Sequence, residues 1–225
     1  MIKIRKGYKE VTGMKKLQMF FNESRTRAAA GFLSILCYVV MIFFLMCLVL
    51  AFMGRQTFTL RTGTGVYERA TYAESRQEVP DYGSTTGLTT ASADQIHVVA
   101  DDNDRVDLAA HIALSLMYAS TVLPAMLGYW FLSRVFSNVG KGAFFIEQNA
   151  RLILYYGLLQ FFSAFLVPLI KFLICALAGG ISGCQISCSV NAELLNPIFQ
   201  GFGFLVAAYI IYYGIHLQDE VDHTI

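Results

Sequence analysis

The chain has 225 residues, of which 56% are hydrophobic and only 15% are charged, and its formal net charge is +1. Soluble domains carry about 25% charged residues, so this composition indicates that lipid forms part of the solvent. The nearly balanced charge argues against a polyanion as the main partner, and no direct contact with nucleic acid is expected. The five scattered cysteines do not form the pattern of a disulfide scaffold.

Four apolar segments predict transmembrane helices. A helix needs about 20 apolar residues to cross a bilayer core, and segments 28–53, 108–136, 152–179 and 197–215 meet this requirement. Each is expected to be helical because lipid offers no partner for backbone N–H and C=O groups. The predicted fold class is an all-α membrane protein, a four-transmembrane-helix bundle with a small extracytoplasmic β-rich loop after the first helix. Small residues let helices approach in lipid, and the candidate contact points are Gly128, Gly157, Gly201 and Gly203.

The Lys and Arg residues predict which side of the membrane each connection occupies. Segment 1–27 contains eight of them, whereas the loop 180–196 contains none. The loop 54–107 has five Arg against nine acids, a balance of 5 − 9 = −4. Basic segments stay on the cytoplasmic side, so we expect the arm 1–27, the basic hinge 137–151 and the tail 216–225 there. Both other loops are then outside.

The two outer loops carry different signals. In the first, "TFTLRTGTGVYERATY" alternates and is rich in Thr, Tyr and Val, which is typical of a hairpin, and "QIHVVADD" predicts a further strand. We therefore expect a small β cap around a turn-rich middle. In the second, Cys184 and Cys188 lie four residues apart on the oxidising side. A disulfide and two free thiols are both consistent with that spacing.

Ionisable residues inside apolar segments are candidates for function. His111 lies near the outer start of the second segment, where we expect it to face the interface and to pair with Asp107 one helical turn earlier. Lys171 lies 171 − 152 = 19 residues beyond Leu152, which is about 28 Å along a helix and close to the outer interface. Its long stem favours snorkelling to water over a role in an ion pathway.

The sequence contains no recognisable catalytic constellation, and we predict a non-enzymatic protein without a cofactor or metal. Its four histidines are divided between the two sides of the membrane. Gly63 and Gly65 lack the third glycine of a dinucleotide fingerprint. Glu147 and Arg151 have the four-residue spacing of an ion pair that supports a helix, which requires no enzymatic interpretation.

The hinge and the C-terminal end carry a resemblance to a known family. "GKGAFFIEQNARL" opens the third segment and "GIHLQDEVDHTI" ends the chain. These stretches resemble the bacterial four-helix membrane family catalogued as domain of unknown function 2975, which has a variable outer loop after its first helix. One departure is Ala143, where that family commonly has Pro. The family ending Gly-x-x-Leu-Gln-x-Glu-x-Asp-x-Thr-Ile corresponds here to Gly214, Leu217, Gln218, Glu220, Asp222, Thr224 and Ile225.

The resemblance implies a location and a partner, but no activity. It implies a multi-pass protein of the bacterial inner membrane, and the distribution of Lys and Arg predicts that both termini lie in the cytoplasm. Members of the family are often encoded beside a small helix-turn-helix regulator. The resemblance therefore implies such a regulator as a cytoplasmic partner.

The acidic C-terminal end requires compensation. Asp219, Glu220 and Asp222 follow the last segment, at the negative end of its helix dipole and beside a negative inner leaflet. There are three alternatives: a clamp by hinge cations or by the basic arm, a basic partner surface, and a solvated tail that only ends the segment. We expect the tail to alternate between its own hinge and a regulator. The candidate partner-binding residues are Lys141, Asn149, Arg151, Leu217, Gln218, Glu220 and Asp222.

These features predict a regulatory or sensory membrane protein that couples an extracytoplasmic loop to a cytoplasmic partner. The alternative is an accessory subunit of a transporter or of an oligomeric channel, which would act with other membrane subunits or as a homo-oligomer. Four helices make a poor solitary pore, and the segments lack the deep charges that ion coupling requires.

Overall fold

The computed structural model of the protein describes residues 23–77, 96–188 and 195–222. Its helices are α1 (Glu23–Phe52), α2 (Tyr72–Ser75), α3 (Leu108–Gly140), α4 (Glu147–Ile181) and α5 (Leu195–Asp222). Its strands are β1 (Thr57–Arg61), β2 (Val66–Thr71), β3 (Ile96–Val99) and β4 (Gln185–Cys188). The basic arm up to residue 22, the turn-rich segment 78–95, and residues 189–194 and 223–225 lie outside this description.

Four of these helices, α1, α3, α4 and α5, are long and apolar enough to cross a membrane. This confirms the predicted number of such helices, but their ends differ from those predicted. The second continues to Gly140 instead of ending at 136, and the third begins at Glu147 instead of 152. The hinge is thereby reduced to residues 141–146. The last helix continues to Asp222, so the acidic stretch prolongs the helix instead of forming a separate tail.

The four long helices pack in a row, which corrects the predicted bundle. α1 packs on α3, α3 on α4, and α4 on α5, while any other pair of these helices makes at most slight contact within the described residues. Helices in lipid associate through local packing and not through exclusion of water. A closed core between all four is therefore not required. The end with the hinge is called the hinge end below, and the opposite end the sheet end.

Glycines mark the closest contact between α4 and α5. A Cβ added at Gly157 would lie 3.1 Å from the carbonyl oxygen of Gly201, and one added at Gly201 would lie 3.0 Å from that of Gly157. One added at Gly128 on α3 would lie 3.0 Å from the ring of Tyr156 on α4. These three predicted contact points are confirmed. The prediction for Gly203 is wrong, because nothing lies within 4 Å of the position its Cβ would take.

The strands form one sheet in the order β2-β1-β3-β4. β1 and β2 are the predicted antiparallel hairpin, and β3 is the predicted further strand, which pairs with β1 in parallel. The fourth strand was not predicted. It comes from the second outer loop and pairs antiparallel with β3. The sheet therefore joins the connection after α1 to the connection after α4.

One face of the sheet packs on the ends of the helices. Successive side chains of a strand point to opposite faces, so Phe58, Leu60 and Val98 enter the core. They pack in one hydrophobic cluster with the first turns of α3 and with Ala178 near the end of α4. Leu114 and Met117, both on α3, are almost completely buried in this cluster. The sheet and the two central helices therefore share a single core.

Candidate functional site

The face of the sheet that is turned away from the helices forms an open groove of about 710 Å³. One row of its lining is polar: Thr59, His97 and Ser187 are direct neighbours on three adjacent strands. The pairing of β1 with β2 shifts by one residue opposite Thr59. This bulge brings Glu68 into the lining at the end of the row.

A second row of the groove places a cation between two valines. Arg61 pairs with Val66 on one side and with Val99 on the other. Val66 is 61% exposed and Val99 is 39% exposed, although both are β-branched apolar residues. The groove thus offers a polar row and, beside it, an apolar row with one guanidinium at its centre.

The charged groups of the groove are not engaged by the protein. Within the described residues, the side chains of Arg61, Glu68 and His97 make no ion pair and no hydrogen bond. Ser187 Oγ donates to the backbone carbonyl of His97 at 3.4 Å, a contact that does not use the His97 ring. These three side chains are available to a ligand from the open face of the sheet.

Beneath the sheet, Asp107 ties α3 to the end of α4. It is the N-cap of α3, and its Oδ1 accepts from the Ala110 backbone N–H at 2.7 Å. The same oxygen accepts from Ser182 Oγ at 2.8 Å, and Oδ2 accepts from the Gly183 N–H at 3.1 Å. An Asp directly before a helix is an N-cap signal that sequence reasoning could have used. Ser182, which follows α4, gives no such signal.

His111 does not pair with Asp107, which corrects that expectation. Its Nε2 lies 3.1 Å from the carbonyl oxygen of Phe52, the last residue of α1. Its ring stacks on Tyr72, with centroids 4.1 Å apart and planes 2° apart. The side chain is buried and does not face the interface. The free carbonyl at the end of α1 outcompetes Asp107, whose carboxylate is already occupied by α3 and α4.

Of the two states that the sequence leaves open for Cys184, the structure has the free thiol. Its thiol is free and buried, and it donates to the Arg105 carbonyl oxygen at 3.5 Å. Cys188 ends β4, and its side chain lies outside the described residues. A strand rises about 3.3 Å per residue, so an extended chain places the second cysteine too far along for a disulfide. Burial raises the pKa of the Cys184 thiol.

Lys171, the other intramembrane candidate, is half-buried on α4. The helix continues to Ile181, so 181 − 171 = 10 residues, about 15 Å, separate Lys171 from its end. Lys171 lies deeper below the sheet end than the predicted segment boundaries implied. Snorkelling towards water remains a prediction for this side chain.

At the hinge end, Asn149 is a structural residue. It is 1% exposed, which contradicts its predicted role in partner binding. Its Nδ2 donates to the carbonyl oxygens of Ala143 and Phe144 at 2.8 and 3.1 Å, and its Oδ1 accepts from Asn138 Nδ2 at 2.8 Å. A buried amide that makes these bonds has no donor left for a partner. It fixes the turn between α3 and α4.

The hinge turn itself depends on glycine and on α1. Gly142 has a φ of +86°, the left-handed region that favours glycine. A Cβ there would lie 2.5 Å from Nη2 of Arg27, so the start of α1 packs directly over the turn. Arg134 lies over the ring of Trp130, 5.5 Å from its centroid. Arg27 therefore places a cation of α1 at the hinge.

Because the acidic side chains of the tail lie outside the described residues, the clamp between tail and hinge stays a prediction for Arg151. That residue forms a 2.9 Å ion pair with Glu147, which confirms the predicted helix-supporting pair. Lys141 is exposed at the hinge, and Leu217 is 45% exposed near the end of α5. The side chains of Gln218, Glu220 and Asp222 lie outside the described residues, so their role in partner binding stays a prediction.

Within the described residues, no three His, Cys, Asp or Glu side chains come together in a way that could hold a metal ion. The two ends of the molecule offer binding surfaces, the groove at the sheet end and the cationic hinge at the other. Comparison with family models, with curated proteins and with solved structures gives no match for this chain.

Proposed function

We propose that this protein is a non-enzymatic regulatory or sensory protein of the bacterial inner membrane. In this account, the sheet lies outside the cell and both chain ends lie in the cytoplasm. The observation that carries the proposal is the shared core. The sheet packs on α3 and α4, and the same two helices meet at the hinge that Asn149 fixes. A ligand on the sheet and a partner at the hinge would therefore act on one pair of helices.

The connection between sheet and helices is suited to transmitting a change. α3 has 33 residues, or about 50 Å, which exceeds a hydrocarbon core of about 30 Å. Its first turn is held by Asp107, which accepts hydrogen bonds from Ser182 and Gly183 in the short segment between α4 and β4. A displacement of β4 would pull on both helix ends through these hydrogen bonds. Coupling between distant sites travels through such contiguous packed elements.

The partner we propose is a small helix-turn-helix regulator in the cytoplasm. The exposed contact residues would be Lys141 at the hinge and Leu217 near the end of α5, together with the acidic residues that follow it. Support for this partner comes from the resemblance of the hinge and tail stretches to domain of unknown function 2975. Acidic residues at a helix C-terminus are unfavourable without a compensating cation, and a basic partner surface would supply one.

Site-specific photo-crosslinking in the native host tests the proposal. A photoreactive residue at Lys141 or at Leu217 is expected to capture a DNA-binding protein, which mass spectrometry identifies. The same residue at Ser187, on the outer face of β4, is the matched control and should not capture it. Ser182→Ala removes one hydrogen bond to Asp107 and should change the capture yield, whereas Ser187→Ala should not. Capture of no DNA-binding protein from either hinge-end position contradicts the proposal.

The row of helices favours a second candidate, an accessory subunit of a transporter or of an oligomeric channel. Within the described residues, α5 packs extensively only on α4. Only 11% of the most apolar stretch of α5 is buried. The remaining faces of α5 are open to lipid or to other membrane subunits. Co-purification in mild detergent separates the candidates. Transport subunits, or a second copy of this chain, support this alternative, and a DNA-binding protein supports the first.

A further inference from the structure

We infer that the outer groove of the sheet binds a small zwitterion with an aliphatic side chain, such as a free α-amino acid. This inference rests on the proposed function, because it names the ligand class of the extracytoplasmic site. It follows from the arrangement of unpaired charges and exposed apolar side chains on the groove face.

The two opposite charges in the groove are close but not paired with each other. Arg61 pairs with Val66 on β2, and Glu68 lies two residues further along that strand. Diagonal neighbours of this kind have Cα atoms about 7–8 Å apart. Arg61 and Glu68 form no ion pair with each other. A ligand that carries a carboxylate and an ammonium group can bridge this gap and satisfy both.

The chemistry of each charged side chain selects one end of the ligand. The guanidinium of Arg61 binds a carboxylate through two parallel hydrogen bonds. The carboxylate of Glu68 is an acceptor for an ammonium group. Thr59 and Ser187, the hydroxyl neighbours of His97 in the polar row, add hydrogen-bonding groups beside them. A ligand with only one of the two charges would leave the other protein charge without a partner.

The aliphatic preference comes from the valines. Val66 and Val99 flank Arg61 on both sides and present exposed apolar surface in an otherwise polar face. Burying apolar surface contributes about 25 cal/mol per Å², so an aliphatic side chain gains more at this place than a polar one. The groove volume of about 710 Å³ is within the size range of small-molecule sites.

The test uses the full chain in detergent or nanodiscs, with binding measured by titration calorimetry. The probes are L-leucine, 4-methylpentanoate, which lacks the ammonium group, and 3-methylbutylamine, which lacks the carboxylate. Leucine is expected to bind, and each singly charged analogue is expected to bind at least about tenfold more weakly than leucine. If none of the three probes binds, or if all three bind equally, the inference is wrong.

Variants locate the site. Arg61→Gln and Glu68→Gln should each weaken leucine binding about tenfold, since each removes a charge-assisted hydrogen bond. Arg105→Gln and Asp102→Asn, which change exposed charges outside the groove, are the controls and should leave it unchanged. Val99→Glu places a carboxylate beside Arg61 and should weaken leucine binding by a different route. Thermal unfolding confirms that each variant is folded. Equal losses in groove variants and controls would overturn the assignment.

The outcomes also separate this inference from the proposed function. If leucine does not bind while Ser182→Ala still changes crosslinking at the hinge, the ligand class is wrong and the proposed function stands. If leucine binds at the groove but no DNA-binding protein is captured at the hinge, the ligand class stands and the proposed function is wrong.

Discussion

Asn138, near the end of α3, donates a 2.8 Å hydrogen bond from Nδ2 to Oδ1 of Asn149 in the first turn of α4. The amide of Asn149 also donates to the two carbonyls that form the turn, so one buried side chain holds both helices and their connection. The hinge is thus a fixed corner in this structure, and its exposed neighbours are the surface that a partner can reach.

Asn149→Ala is expected to destabilise the protein by about 1–3 kcal/mol. The variant leaves the Asn138 amide and two turn carbonyls without their partner, and unsatisfied buried polar groups carry a cost of this size. Thermal unfolding in detergent measures the change. Gln148→Ala, at the exposed neighbouring position, is the control and should unfold like the wild type. Equal unfolding temperatures for both variants would contradict the role given to Asn149.

Gly157→Ala is expected to push α5 away from α4 and to lower stability by about 1–3 kcal/mol, the usual cost of overpacking. The reason is that the new Cβ would lie 3.1 Å from a backbone carbonyl oxygen, which cannot rotate out of the way. Gly203→Ala is the matched control on α5, where the added methyl group meets nothing within 4 Å. Thermal unfolding in detergent compares the two. A destabilised Gly203 variant together with a neutral Gly157 variant would contradict the contact between α4 and α5 described here.

Gln56→Met is expected to stabilise the protein by about 1–3 kcal/mol. Gln56 is 4% exposed, and within the described residues neither polar atom of its side-chain amide has a hydrogen-bond partner. Replacing an unpaired buried amide by an apolar group of similar shape removes that penalty. Unfolding in detergent measures the change. Gln185→Met, at an exposed position of β4, is the control. A clear loss of stability in Gln56→Met would show that the amide is satisfied in solution.

The Cys184 thiol is expected to react slowly with maleimides. Burial raises its pKa above the ordinary value of 9.0, so at neutral pH less of it is the reactive thiolate than at an exposed cysteine. Rates are followed by mass spectrometry of the peptide that contains Cys184. Ser187→Cys places an exposed cysteine on β4 and serves as the control that is expected to react fast. Equal rates at pH 7 would show that Cys184 is not buried.

The raised pKa of the Cys184 thiol also predicts how the free energy of unfolding changes with pH. Ionising the thiol is harder in the folded protein than in the unfolded chain. Its contribution to the free energy of unfolding is therefore complete below pH 9.0, the ordinary value, and is lost as the pH rises through the raised pKa. A Cys184→Ala variant should lack this part of the alkaline loss.

The sequence predicts those features that depend on local pattern. The four long helices follow from apolar segments that lipid forces to be helical, and the hairpin of β1 and β2 follows from alternation around Gly63 and Gly65. Strand β4 is four residues long, too short for its alternation to stand out. It forms because β3 offers an edge and because Ile186 enters the shared core.

Long-range partners are the part that the sequence does not predict. The distance of four positions suggested Asp107 for His111, but the carbonyl of Phe52, which is 59 positions away, is the actual neighbour. Asn149 was expected to be a partner-binding residue because it belongs to the hinge stretch that carries the family resemblance. Its burial depends on a turn geometry set by Gly142, which no helical pattern encodes.

Labelling of single cysteines in intact cells tests the central claim most directly, namely that the groove and the hinge lie on opposite sides of the membrane. Ser187→Cys marks the outer face of the sheet and Lys141→Cys marks the hinge, and the labelled peptides are identified by mass spectrometry. A membrane-impermeant maleimide should label Ser187→Cys in intact cells and Lys141→Cys only after the membrane is opened. Labelling of Lys141→Cys in intact cells, or of both positions equally, would contradict the account.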